Sequence, residues 1–297
     1  MSGTVACVLN SQCVLGEGPV WSSRDQCLWF VDIEARSVYR FDPENKQVRR
    51  FDTPGRPGFI VEASDGRLVL GMEDALYVCD RDISELERKL VVSPIQEGHR
   101  INDGYADAQG RLWFGTLNEH ETDPTGRLFR CRVGRIEVAD EEGYVVTNGP
   151  AMSPDGRTLY HSDSLQRRIF AFDVAESGVL SNKRLFVQLS DAEGYTDGVT
   201  VDSAGRVWIA LFNGWGVHCY SAAGELVRRI EIPAANATKL AFGGQDLKTG
   251  YVTSARKGLS SQELQRQPLA GGLFSFRTDV PGQAANEMDP IAARATA

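Results

Sequence analysis

The sequence predicts an all-β protein built as a six-bladed β-propeller. Six hairpin cores recur along the chain, with turn apices at Asp25, Gly66, Gly110, Gly156, Gly205 and Leu247 that lie 41, 44, 46, 49 and 42 residues apart. Each core is trailed by a third strand-like run, and sustained helical periodicity is almost absent. A period of about 40 to 50 residues, with about four strands per unit, is the period of propeller blades. A large sandwich or two smaller β domains would not impose that spacing.

The elements follow in order. VWSSRDQCLWFVD at 20–32, IVEASDGRLVLGM at 60–72, YADAQGRLWFGTL at 105–117, AMSPDGRTLYHSD at 151–163, VTVDSAGRVWIAL at 199–211 and LAFGGQDLKTGYVTS at 240–254 share one pattern. A short apolar strand meets a polar turn, then a second strand rich in Leu, Val, Trp, Tyr and Phe. SVYRFD, ALYVCD, RLFRCR, RIFAFD, GVHCYS and GLFSFR supply the third strands. Outer strands are visible at KQVRRFD (46–52) and ELVRRIEI (225–232), whereas ISELERKL (83–90) reads equally as a short helix or an irregular outer strand. Residues 3–10 form an apolar strand left over at the N-terminus, expected to complete the last blade. The whole chain, 1–297, reads as a single propeller, with a tail from about residue 280.

The totals exclude several functions. The chain has 297 residues, 42% apolar and 24% charged, as a soluble globular protein with a sizeable core would have. Its net charge of −8 argues against nucleic-acid binding, which needs a basic footprint. No window approaches the 18 or so consecutive apolar residues of a membrane span. The start, MSGTVACVLNSQCVLGEG, lacks the basic and apolar regions of a secretory signal. The six cysteines form no CxxC pair and read as reduced, buried thiols. These features lead to an expectation of a cytoplasmic protein, a monomer or a weak homo-oligomer.

The repeats also locate a site. The first strand of each propeller blade lines the central channel, so equivalent positions form a ring. Counting back eight residues from each apex gives Glu17, Gly58, Asn102, Asn148, Asp197 and Lys239. Four of these have Gly at the next position or the one after, as in LGEGPVW at 15–21. Strand interiors disfavour Gly and acidic residues together. Their recurrence in register marks one mouth of the channel. Two carboxylates and two amide carbonyls are hard oxygen ligands suited to Ca²⁺, Mg²⁺ or Mn²⁺. Without a cation, Glu17 and Asp197 would repel, and one would hold a proton.

LGEGPVW, RINDGYADAQGRLWFGT, TNGPAMSPDGRTLYHSDS, YTDGVTVDSAGRVWIA and ATKLAFGGQDLKTGYVTSARKG together resemble the SMP-30/gluconolactonase/LRE family of sugar lactonases. The likeness spans roughly residues 10–280, with all blocks in order, and is nearest to bacterial aldonolactonases. It implies a six-bladed propeller, one divalent metal and hydrolysis of an aldonolactone to its acid. It puts the family's metal ligands on Glu17, Asn148 and Asp197, with Ca²⁺, Zn²⁺, Mn²⁺ or Fe²⁺ as the ion. Its substrate contacts fall on Arg100 and Asn102, in R-x-N-D-G, and on Glu119. The loop holding Glu119 departs from the family, with Leu-Asn-Glu-His-Glu at 117–121 where many relatives have Met followed by acidic residues.

The expected chemistry is metal-assisted ester hydrolysis, with Asp197 as general base and Arg100 supporting negative charge or orienting ring hydroxyls. A small-molecule sugar lactone is the expected substrate. A related esterase for a non-sugar ester, or a non-catalytic binding propeller, are the alternatives. No GxSxG, HExxH, P-loop or GxGxxG competes. Trp29, Trp113 and Trp208 sit at strand spacing and read as blade core. Phe212 and Trp215 are candidates to pack near the sugar, His99 and Lys239 to reach the mouth, and Asp163 and Ser164 to line the channel.

Overall fold

The hairpin turns show how the sequence sets the blades. At Asp107–Arg111, the Asp107 backbone N–H donates to Arg111 O, and the Gly110 N–H returns to Asp107 O. Gly110 takes φ +76°, the left-handed region that glycine enters without steric cost. The Asp107 carboxylate then accepts from Arg111 Nε and, at 2.7 Å, from Trp113 Nε1. Asp202, Arg206 and Trp208 repeat the arrangement in blade 5. One carboxylate thus ties the turn to a tryptophan that is fully buried between blades.

The computed structural model describes residues 4–93, 95 and 97–291, and is nearly all β. Residue 3 and residues 292–297, the outer ends of the two terminal segments, lie outside the described residues. Blade 1 comprises Gly16–Ser22, Cys27–Asp32, Ser37–Phe41 and Val48–Asp52, hydrogen-bonded in that order. Blades 2 to 5 repeat this plan, with inner strands Pro57–Glu62, His99–Ala106, Thr147–Met152 and Tyr195–Val201. Blade 6 takes Ala237–Gly243, Thr249–Ser254 and Leu273–Arg277 from the C-terminal end. Ala6–Leu9 pairs antiparallel with Leu273–Arg277 as its outer strand. Each inner strand packs on the inner strands of both neighbouring blades, so the six close into a ring. The core lies between blades, where Trp29, Trp113, Trp208, Phe59, Phe114 and Phe274 are buried.

Three local outcomes were not set by periodicity. The 83–90 segment resolves as a turn followed by an outer strand, Glu87–Val91. One short helix, Ser261–Arg266, interrupts blade 6, with a Ser260/Glu263 capping box at its start. The segment expected as a tail is packed as far as it is described. Gly282 N–H donates to Leu247 O, Gln283 Nε2 to Met152 O and Val201 O, and Asn286 Nδ2 to Ala106 O. Met288 N–H donates to Glu62 O, and Met288 and Ile291 are buried. With the Arg24–Glu287 ion pair, this strap touches all six blades across the lower end of the channel. Beneath it is an apolar cavity of about 100 Å³. All six cysteines are free, five of them buried. Among the described residues, no helix is long and apolar enough to cross a membrane.

Candidate active site

Each inner strand carries a register shift at the ring position: Glu17/Val20, Pro57/Phe59, Ile101/Gly104, Asn148/Ala151, Thr196/Val199 and Ala237/Lys239. An extra residue at such a point leaves the ladder and re-aims its side chain, here toward the axis. This is the local reason that glycine and polar residues sit at strand entrances. It also explains the one ring position without a side chain. A Cβ on Gly58 would lie 2.4 Å from Asn102 O, so the neighbouring blade's backbone fills that place.

Glu17, Asn102, Asn148 and Asp197 meet in one buried cluster at the upper mouth. They line a cavity of about 340 Å³ together with Arg100 and Ser164. The Glu17 and Asp197 carboxyls are buried on the same cavity and act on each other's pKa. Burial, then the negative charge of Asp103, holds Glu17 well above the usual carboxylate range. Burial, then the charge of Glu17, does the same to Asp197. The pair therefore needs a shared proton or a cation.

The amides are oriented by a chain of bonds with fixed ends. Arg100, which can only donate, gives Nη1–H to Asn102 Oδ1 at 2.8 Å. Asn102 Nδ2 donates to Thr147 O at 2.8 Å, and a backbone carbonyl can only accept. The same nitrogen donates to Asn148 Oδ1 at 3.0 Å, and Asn148 Nδ2 donates to Ser164 Oγ at 2.9 Å. Asn148 thus presents its oxygen, with a second lone pair still open. Among the described residues, no group of three His, Cys, Asp or Glu side chains gathers as a metal cluster. The donor set is two carboxylates and one amide oxygen, which fits a hard divalent cation held by Glu17, Asn148 and Asp197.

Arg100 is 3% exposed. Nη1 also donates to Ile101 O, and Arg100 has no carboxylate partner within ion-pair distance among the described residues. Arg100 lines the cavity. Lys257 and Glu121 stand at the rim, with Lys257 Nζ 3.0 Å from Glu34 Oε1. Leu15, Leu117, Leu165 and Phe212 supply an apolar wall.

Several sequence expectations resolve differently. Glu119 does not line this cavity. Arg56 grips its carboxylate through both terminal nitrogens, at 2.9 and 2.5 Å, because the loop turns it sideways toward blade 2. The acidic residue of that loop that lines the cavity is Glu121. Ser164 and Phe212 line it, whereas Trp215, 47% exposed, borders a separate groove with His218 and Arg229. His99 Nε2 bonds Thr125 Oγ1 at 2.7 Å and stays outside. Asp163 accepts from the Val145 and Val146 N–H groups. His161 is fully buried on Tyr144, and burial holds its pKa down at about 3. Lys239 turns below the donors and pairs with Asp103, a residue the repeat count passed over. Asp103 sits in the N-D-G of blade 3, one residue beyond the ring position. Lys257 and Tyr195 also line the cavity without having been singled out.

Fold and site together define a six-bladed propeller of the kind that gathers two carboxylates and an amide at one channel mouth. The description "SMP-30/gluconolactonase/LRE-like region" matches residues 15–256, and the chain belongs to that family. It is 35% identical over 284 residues to 6-deoxy-6-sulfogluconolactonase of Pseudomonas putida, covering 95% of this chain and 97% of the relative. It is 32% identical over 283 residues to regucalcin of Xenopus laevis, covering 92% and 93%. The crystal structure of a regucalcin from Agrobacterium tumefaciens, described as a calcium-binding protein, superimposes with a TM-score of 0.92 at 23% identity, covering 97% and 98% of the two chains. At that identity the likeness speaks for the fold.

Proposed function

We propose that this protein is a divalent-metal-dependent lactonase that hydrolyses a sugar 1,4- or 1,5-lactone to the aldonic acid. The observation that carries the reading is that Glu17, Asn148 and Asp197 are buried together on the cavity that Arg100 also lines. The name of the Pseudomonas putida relative, a sugar lactonase, supports the substrate class. Glu17, Asn148 and Asp197 would hold the ion, with Ca²⁺, Zn²⁺, Mn²⁺ and Fe²⁺ as candidates. When bound, such a cation supplies Lewis-acid polarisation of the carbonyl and lowers the pKa of nearby water.

The chain's own residues do the rest. Asp197 takes the proton of the attacking water as the new C–O bond forms at the carbonyl carbon. The same proton is returned to the ring oxygen as the lactone C–O bond breaks, giving a hydroxy acid. Arg100 directs its free N–H groups at the substrate oxygens, orienting the lactone and stabilising negative charge. Asn102 holds the Arg100 and Asn148 side chains in register. A pH-drop assay across γ- and δ-aldonolactones, with metals added singly to chelated enzyme, tests the reading. Activity that ignores both chelator and metal would refute it.

The apolar wall of Leu15, Leu117, Leu165 and Phe212 favours one second reading, an esterase for a less polar ester. Comparing kcat/KM for aldonolactones against aliphatic lactones of the same ring size separates the two.

A further inference from the structure

Below the donor cluster, Lys239 reaches across the channel axis from blade 6 to Asp103 of blade 3. Lys239 Nζ donates to both Asp103 oxygens, at 2.6 and 2.8 Å, and both residues are buried. Asp103 also accepts from Gly104 N–H at 2.7 Å and from Gly149 N–H at 2.9 Å. The Lys239 stem lies on Gly198, where a Cβ would come within 2.4 Å of Lys239 Cγ. The pair therefore touches the residue after Asn148 and the residue after Asp197. It is also felt electrically, since Asp103 and Lys239 act in opposite directions on both Glu17 and Asp197.

A buried ion pair is a poor source of stability, because desolvation offsets most of the attraction. Its location suggests another use. With Lys239 in place, the Asp103 charge is cancelled and the four groups Glu17, Asp197, Asp103 and Lys239 sum to −2. Without Lys239 these four would sum to −3, while the buried Arg100 on the same cavity is unchanged.

We propose that the Asp103–Lys239 pair sets the charge of the cation site, with Lys239 offsetting one buried carboxylate and so discriminating against ions of higher charge. This rests on the reading of Glu17, Asn148 and Asp197 as cation ligands. The test is calorimetric titration of chelator-treated protein with Ca²⁺, Mn²⁺ and, separately, Tb³⁺. It compares the parent protein, Lys239→Met, Asp103→Asn and the double variant. Methionine keeps the stem over Gly198 while removing the charge.

Lys239→Met should bind cations at least about tenfold more tightly, with the larger gain for Tb³⁺. Asp103→Asn should bind at least about tenfold more weakly, and the double variant should return near the parent. If Lys239→Met fails to fold alone, the same gain is read between Asp103→Asn and the double variant, where no buried carboxylate is left unpaired. Weaker binding in all three variants would mean a mere spacer and would overturn the proposal, as would no change. Failure of the parent protein to bind any cation would instead overturn the ligand assignment beneath it.

Discussion

The carboxyls of Glu17 and Asp197 are buried together on one cavity at the mouth of a closed channel. Two like charges so placed oppose folding unless something intervenes. The cost falls at the point where the chemistry is expected, which is the usual bargain between stability and function at an active site.

Removing one of these charges should therefore stabilise the metal-free protein while ending its activity. Asp197→Asn is expected to raise the unfolding free energy of chelated protein by about 1–3 kcal/mol and to lower kcat by at least about a thousandfold. Thermal melts in chelator and single-lactone kinetics check both halves. A destabilised and still active variant would contradict the assignment.

The same pair dictates a pH dependence. Glu17 and Asp197 have folded pKa values raised above their unfolded ones. The folded state then binds more protons, so stability is greatest at low pH and falls as pH rises through the raised values. Melting temperature of chelated protein should drop between about pH 5 and about pH 8, and added divalent metal should restore it most at the high end. Differential scanning fluorimetry with and without metal measures this. A metal-induced gain that is largest at low pH would count against it.

The loop at 117–121 offers a contrast between neighbours. Glu121 lines the cavity, whereas Glu119 is held by Arg56. Glu121→Gln should change KM for the lactone by roughly threefold to tenfold, while Glu119→Gln should leave KM near that of the parent. The reverse order would show that the loop closes differently over substrate.

How far the site was legible follows from which residues obey the repeat. Glu17, Asn148 and Asp197 were found by counting because each sits at the bulge of an inner strand, at one offset from a well-marked turn. Asp103 was missed because it lies one residue past that offset, and its partner Lys239 is supplied by blade 6. No local pattern encodes a contact across the axis. Glu119 came from the family resemblance, in a loop where this sequence departs from the family and carries a second acid, Glu121. Only the Arg56 fork distinguishes them. The strap at 280–291 has no strand period, since it binds through scattered backbone bonds, the polar side chains of Gln283, Asn286 and Glu287, and two apolar side chains.

That strap should matter for stability more than for catalysis. Met288→Ala removes a buried side chain from the core under blades 2 and 3 and should cost about 2–4 kcal/mol. kcat and KM should stay near the parent values, because Met288 does not line the active-site cavity. Denaturant titration beside lactone kinetics tests the separation. A selective loss of kcat in a stable variant would contradict it.

The central claim is that Glu17, Asn148 and Asp197 hold a divalent ion required for lactone opening. It is tested most directly by pH-stat hydrolysis of an aldonolactone with chelated enzyme, titrated back with one metal at a time. The account predicts no turnover above the buffer rate in chelator. It predicts full recovery near one equivalent of metal, and none for Asp197→Ala at any metal concentration. Undiminished turnover in chelator, or by Asp197→Ala, would contradict it.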